Sequence, residues 1–196
     1  MKKTIIISSI VLLIAICILI LFPKNKPVTP ATISNQKYVN DNYKFLLNLP
    51  TEYSIDENYV HQITPTRNVN GVKFNVPKSL TNGTNLSNDT SISIESIPNI
   101  PYCTAELFTD YPAHKPDIVT DSGTTYSLIT SSEAGAGNRY EESIYTIQDS
   151  SPCVAIRYFI HYSAFENYPT GSIKEFDKQD ILDSFDEIRR SLVIQK

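Results

Sequence analysis

The chain has 196 residues, 41% of them hydrophobic and 19% charged, with a formal net charge of −4. That size and balance suit one globular domain with its own core, once the first residues are set apart by composition. The charge excludes nucleic acid as a partner class, because phosphate binding needs clustered Lys and Arg, and no basic block occurs.

After Met1-Lys2-Lys3 comes "TIIISSIVLLIAICILILF", an uncharged run of 19 residues from Thr4 to Phe22. As a helix it reaches roughly 28 Å, near the hydrocarbon thickness of a bilayer. It also exceeds a signal-peptide core of about 7 to 15 residues. The run predicts an N-terminal transmembrane helix, a signal anchor over residues 1–22 that gives the chain its membrane partner. Lys2 and Lys3 favour a cytoplasmic N-terminus, which makes the chain a single-pass protein of a bacterial inner membrane with its C-terminal domain in the periplasm. The alternative is secretion after signal cleavage, for which the small residues Thr29 and Ala31 lie well past Phe22, with Lys24 and Lys26 between. A lipoprotein signal would use Cys17, but Ile16 stands where Gly or Ala is wanted. Beyond Phe22, 15 of the 17 Lys and Arg residues face all 21 Asp and Glu, a formal charge of −6.

Residues 23–37 hold three prolines and mostly polar residues, and read as a flexible tether. The domain then spans residues 38–196. In "YKFLLNLP" the residues Tyr43, Phe45, Leu47 and Leu49 alternate onto one face, as in a half-buried strand, and Pro50 stops the run. In "RNVNGVKFNVP", Asn70-Gly71 signals a hairpin turn ahead of a strand carrying Val72, Phe74 and Val76. "TSISIESIP" and "TTYSLIT" continue the alternation. "RYEESIYTI" and "CVAIRYFIHY" form a pair joined by "QDSSP", with Val154, Ile156, Tyr158, Ile160 and Tyr162 pointing one way. The run "NGTNLSND" reads as a polar surface loop, carrying sequons at Asn82, Asn85 and Asn88 that matter only in a eukaryotic secretory host.

One long segment, "FDKQDILDSFDEIRRSL", has helical spacing: Ile181, Leu182, Phe185, Ile188 and Leu192 make one apolar stripe. Asp177 suits the N-cap, and Arg189 and Arg190 suit the C-terminal end of the dipole. A shorter helix fits "CTAELF", residues 103 to 108. The expected fold class is α+β, a mainly antiparallel sheet with a long C-terminal helix packed on one face, preceded by the transmembrane helix. Two cysteines, Cys103 and Cys153, lie in the outer part. In an oxidising compartment they pair as a disulfide; the alternative is two buried free thiols.

The opening "YVNDNYKFLLNLP" and the closing "ILDSFDEIRRSL" resemble the start and end of PsbP-like domains, in which an aromatic first strand ends in Pro and a helix with a buried Phe closes the sheet. The middle of the chain, with "NGTNLSNDTSISIESIP", "CTAELF" and "RYFIHYSAFENYP", is similar to uncharacterised exported proteins of Gram-negative bacteria. Neither resemblance supplies a catalytic residue.

Candidate chemistry is sparse. "EAGAGNRYEE" precedes a strand rather than a helix and lacks a following Lys, so its glycines read as a turn, with Asn138 and Arg139 placed to meet a ligand. If residues i and j of the last two long strands pair with i + j near 300, Arg139 and Glu141 share a face with Arg157 and His161. Such a face would bind an anion or a carboxylated ligand through guanidinium forks, or be an ordinary solvated sheet face. The histidines His61, His114 and His161 lack zinc spacing, so neither a metal nor a cofactor is expected. These features point to a membrane-tethered, non-enzymatic binding or envelope-associated module with an envelope protein partner. The alternatives are a small hydrolase or transferase using His161 and Arg157, and a structural spacer of an envelope complex.

Overall fold

The computed structural model describes residues 34–110 and 115–195. In chain order they form β1 (Asn35–Asn40), β2 (Phe45–Pro50), β3 (Ser54–Thr64), β4 (Arg67–Asn75), a short α1 (Lys78–Thr81) and β5 (Ser91–Ile97). A 3-10 turn (Ala105–Phe108), β6 (Asp117–Asp121), β7 (Thr124–Gly135), β8 (Asn138–Ile147) and β9 (Cys153–Ser163) follow. A second 3-10 turn (Phe165–Asn167), α2 (Lys178–Arg190) and β10 (Val193–Ile194) complete the chain. The transmembrane helix expected over residues 1–22, and residues 23–33 of the tether expected over 23–37, lie outside the described residues, while the last tether residues, from Asn35 on, are not tether but the start of β1, paired with β2. Among those described, no helix is long and apolar enough to cross a membrane.

Seven strands form an antiparallel sheet in the order β3-β4-β5-β9-β8-β7-β6, and β1, β2 and β10 form a smaller one in the order β1-β2-β10. Period-two alternation decides what lies between them. Phe45, Leu47 and Leu49 of β2 are buried against Val72 and Phe74 of β4, Ile92 and Ile94 of β5, and Val154, Ile156, Tyr158 and Ile160 of β9. Ile181, Phe185 and Ile188 of α2 close the same core. A second, smaller cluster sits on the opposite face of the seven-stranded sheet. There Phe108 and Ala105 of the first 3-10 turn cover Ile63, Val69, Ile129, Ile144 and Ala155.

The expected long C-terminal helix is corrected. The structure is mostly antiparallel sheet, and α2 has 13 residues, about 20 Å of helix. Its start is as expected, with the Asp177 side chain accepting from the backbone N–H of Gln179 and Asp180. Its end comes early because the chain must turn at Ser191 to add β10 to the edge of β2, where Val193 lies opposite Leu46.

Asn70-Gly71 is not a turn. Both residues lie inside β4, and the hairpin reverses between Thr64 and Arg67 instead. The glycine answers a packing demand: a Cβ built at Gly71 would overlap the Ile94 carbonyl oxygen on the neighbouring strand. Cys103 and Cys153 form a disulfide, tying the first 3-10 turn to the start of β9. The "NGTNLSND" loop is not uniformly superficial. Asn85 is buried, donating to the Ser163 carbonyl and accepting from the Phe176 N–H.

Candidate functional site

The pairing of β8 with β9 decides which side chains can meet. Thr146 lies opposite Ala155, Ile144 opposite Arg157, Glu142 opposite Phe159 and Tyr140 opposite His161. The register sum is therefore 301 rather than 300, and a one-residue slip moves every side chain to the other face. Arg139 and Glu141 pair with Tyr162 and Ile160 and do not join Arg157 and His161. Arg139 is exposed, with Nη1 donating to the Asn138 carbonyl. Glu141 accepts from the Tyr162 hydroxyl and pairs with Lys178. Asn138 sits at the hairpin mouth, its Oδ1 accepting from the Ser163 hydroxyl.

The glycine-rich stretch is a two-residue hairpin turn. β7 ends at Gly135 and β8 starts at Asn138, and the central Ala136 and Gly137 both have positive φ, 49° and 81°. That is the requirement of the primed turns that match strand twist. The Gly137 carbonyl is already used, accepting from the Ala164 N–H and from Asn167 Nδ2.

The functional-looking cluster lies elsewhere, on the face of the seven-stranded sheet opposite the main core. Beside the apolar patch under Phe108, the central strands β5 and β9 carry Glu95 and Arg157, both sealed from water. Arg157 Nε donates to Glu95 Oε1 at 2.7 Å and Nη2 to Oε2 at 2.9 Å. Nη2 also donates to the Phe108 carbonyl at 2.7 Å, and Nη1 meets Glu142 Oε1 at 2.8 Å. The Ser93 hydroxyl donates to Glu95 as well. Burial opposes ionisation of Glu95, but Arg157 prevails through its charge and hydrogen bonds and holds the carboxyl below its ordinary range. Arg157 is likewise held protonated by Glu95 and Glu142 against its own burial.

This triad underlies a recess of about 250 Å³. Tyr59 and His61 line it from β3 and Lys73 from β4; Ser91 comes from β5 and Phe159 from β9. The Tyr59 hydroxyl and His61 Nδ1 lie 3.2 Å apart, and Lys73 Nζ stands 5.1 Å from the Tyr59 ring centre. Burial first, and then the Arg157 cation, push the His61 imidazole down from its ordinary value. Asp89, at the rim, accepts from His161 Nδ1 at 2.8 Å, with Nδ1–H as the tautomer that the carboxylate selects. The His161 ring stacks on Tyr140 at 4.4 Å, and Tyr140 stacks on Phe159 at 6.4 Å. A strip of aromatic rings thus continues from the recess along one face.

Arg157 and His161 therefore share a face, but Arg157 offers no open fork to a ligand, its guanidinium being committed to two carboxylates and a carbonyl. Sequence reasoning missed Tyr59, Lys73, Ser91, Ser93, Glu95 and Glu142, and counted His61 only as a scattered histidine. A signal existed for the pair: Glu95 and Arg157 are the lone charges of two otherwise uncharged strands, "SISIESI" and "CVAIRYFIHYS". A buried acid in one such strand demands a base in its neighbour. The β3 residues were obscured by the polar run "SIDEN" and by a register shift between Asp56 and Tyr59. Among the described residues no cluster of three or more His, Cys, Asp or Glu is placed to hold a metal ion.

No family model matches the chain, and no curated protein matches it. Several solved structures are similar to it, two of them as follows. A protein from Bacteroides thetaiotaomicron VPI-5482 is 10% identical with a TM-score of 0.45, over 82% of this chain and 48% of that one. The chain thus spans about half of that protein's length. The cyanobacterial PsbP protein CyanoP from Synechocystis sp. PCC 6803 is 13% identical with a TM-score of 0.43, over 88% of this chain and 99% of that one.

Proposed function

We propose that this protein is an extracytoplasmic binding domain, tethered to the bacterial inner membrane by residues 1–22, that holds an envelope component in the recess between β3 and β8. The membrane placement rests on the uncharged run from Thr4 to Phe22 and on a disulfide between the two cysteines outside that run. The observation that carries the binding reading is the pre-built recess over the Glu95–Arg157–Glu142 triad. Its central charges are locked by one another, so the surface above them is ordered before any ligand arrives, which lowers the entropy cost of binding. The same locking withdraws Arg157 from acid–base or electrophilic duty, and favours capture over turnover.

The test uses the full-length chain, purified in detergent and followed by thermal unfolding against fractions of envelope extract. A fraction that raises the midpoint of the wild type, but not of Lys73→Ala, supports the reading. Chemical conversion of the retained compound overturns its non-enzymatic part. No stabilising fraction overturns binding at the recess. Release of the chain from membranes by alkaline carbonate overturns the tether.

A further inference from the structure

We propose that the recess takes a short free peptide, its C-terminal carboxylate on Lys73 and its N-terminal ammonium on Asp89. This ligand class rests on the binding reading above and deepens it.

Two side chains of opposite charge face the recess with bonding capacity to spare. Lys73 has no carboxylate partner among the described residues. Its Nζ lies 5.1 Å from the Tyr59 ring centre, a contact that leaves its N–H donors for a ligand. Asp89 accepts from His161 Nδ1 at 2.8 and 3.0 Å through its two oxygens, yet its side chain is 56% exposed and lone pairs remain on both. The other charges are committed to one another, Arg157 to Glu95, Glu142 and the Phe108 carbonyl.

The sheet sets the two open charges apart. Lys73 lies opposite Ser93 of β5, and Ser91 lies opposite Phe159 of β9. Continuing that register by two residues puts Asp89 opposite His161, where their hydrogen bond is found. From Ser93 back to Asp89 the extended chain covers about 13 Å. A ligand of one sign therefore gains at one end of the recess and loses at the other: an anion on Lys73 faces the carboxylates of Asp89 and Glu142, and a cation on Asp89 faces Lys73. A ligand with a carboxylate at one end and an ammonium at the other meets both charges favourably. In a single amino acid the two groups sit on one carbon, too close to bridge the span. Each further residue adds up to about 3.5 Å, so two or three residues suffice once the long Lys73 side chain covers its share. Between the two ends lie the hydroxyls of Ser91 and Ser93, placed to meet peptide N–H and C=O groups, and Phe159 offers an apolar wall to a ligand side chain. The recess volume of about 250 Å³ restricts the ligand to this size, being below the roughly 300 Å³ at which clefts for drug-sized ligands begin. Because both termini must be free, the end of a folded protein does not meet the requirement.

The experiment is titration calorimetry of the full-length protein in detergent against alanine, dialanine and trialanine, and against the same peptides blocked by N-acetylation or by C-terminal amidation. The expected result is binding of dialanine or trialanine, with alanine and each blocked form at least tenfold weaker. The two ends are then assigned by matched loss. In Lys73→Ala the free acid and the amide should bind alike, and in Asp89→Asn, which keeps an oxygen to accept from His161, the free amine and the acetylated form should bind alike. Arg139→Ala, on an exposed residue away from the recess, should change nothing, and an unshifted unfolding midpoint in each variant establishes that the fold is intact. Alanine binding as tightly as the peptides overturns the spanning geometry. Blocked peptides that bind as well as free ones, or a wild-type preference for free ends that survives both substitutions, overturn the assignment of the termini. Should no peptide bind while an envelope fraction still stabilises the wild type but not Lys73→Ala, the peptide assignment fails and the binding reading stands; should neither bind, both fail.

Discussion

The guanidinium of Arg157 grips the carboxylate of Glu95 through two hydrogen bonds, at 2.7 and 2.9 Å, where neither side chain reaches water. Two central strands are thereby joined at one diagonal contact, since Glu95 lies opposite Ala155 and Arg157 opposite Ser93. Desolvating both charges is costly, and the pair persists because Ser93, Phe108 and Glu142 satisfy the remaining polar sites.

The first prediction follows from the asymmetry between breaking a buried pair and replacing it. Glu95→Leu leaves Arg157 buried with one carboxylate, and should cost about 3 to 5 kcal/mol of stability. Glu95→Leu combined with Arg157→Met should recover most of that loss, because Glu142 is partly exposed and can turn to solvent. Urea unfolding of the two single variants and the double variant gives the coupling energy. A double variant no more stable than Glu95→Leu would show that the pair contributes through geometry that an apolar replacement cannot supply.

The disulfide makes a second prediction. Cys103 and Cys153 enclose a separation of 50 residues, for which the loop-entropy relation gives about 4 kcal/mol of stabilisation. Reduction should therefore lower the unfolding midpoint in the wild type and leave Cys103→Ser/Cys153→Ser unaffected. Because the bridge holds the turn whose Phe108 carbonyl accepts from Arg157, ligand affinity at the recess should fall with it.

Gly71 is a third test. It lies within β4 beside β5, at a point where any side chain would collide with the Ile94 carbonyl. Gly71→Ala should cost about 1 to 3 kcal/mol, the range of an overpacked interior. Gly135→Ala, with open space around the position that a Cβ would take, should change stability by less than about 0.5 kcal/mol.

The strands that were legible in the sequence are those buried on one side by clear alternation. Phe45, Leu47 and Leu49 announced β2, and the run from Val154 to Ile160 announced the core face of β9. β3 and β6 were not legible, because both are edge strands with exposed Ile55, Val60 and Ile118, so neither shows apolar alternation. Arg189 misled in a different way. As one of two arginines at a helix end it suited the dipole, but it is buried, lying 4.4 Å from the Tyr145 ring centre and donating to the Tyr158 hydroxyl. Position along a helix reveals the dipole, whereas Tyr126 of β7, Tyr145 of β8 and Tyr158 of β9 become its neighbours only through the tertiary fold. The candidate site stayed hidden for the same reason: its residues come from five strands and the loop before β5, and one unit of register decides which of them face each other.

The last prediction concerns pH. Burial and the Arg157 charge lower the His61 pKa in the folded protein, so the native state holds this imidazole neutral where the unfolded chain would protonate it. Glu95, Glu142 and Asp110 pull the other way without reversing the shift. A base with a depressed folded pKa contributes its stability fully above the unfolded value, about 6.5, and loses it as the pH falls below that value, because the unfolded state then binds more protons. The urea midpoint of the wild type should therefore decline between pH 7 and pH 5, ahead of the carboxylate range. His61→Gln, which keeps a polar side chain near the Tyr59 hydroxyl and cannot titrate, should flatten that decline. The two midpoint curves, measured at equal ionic strength, separate this contribution from that of the other histidines. Parallel curves would mean that His61 is solvated in the native protein, and would open the β3 side of the recess to water.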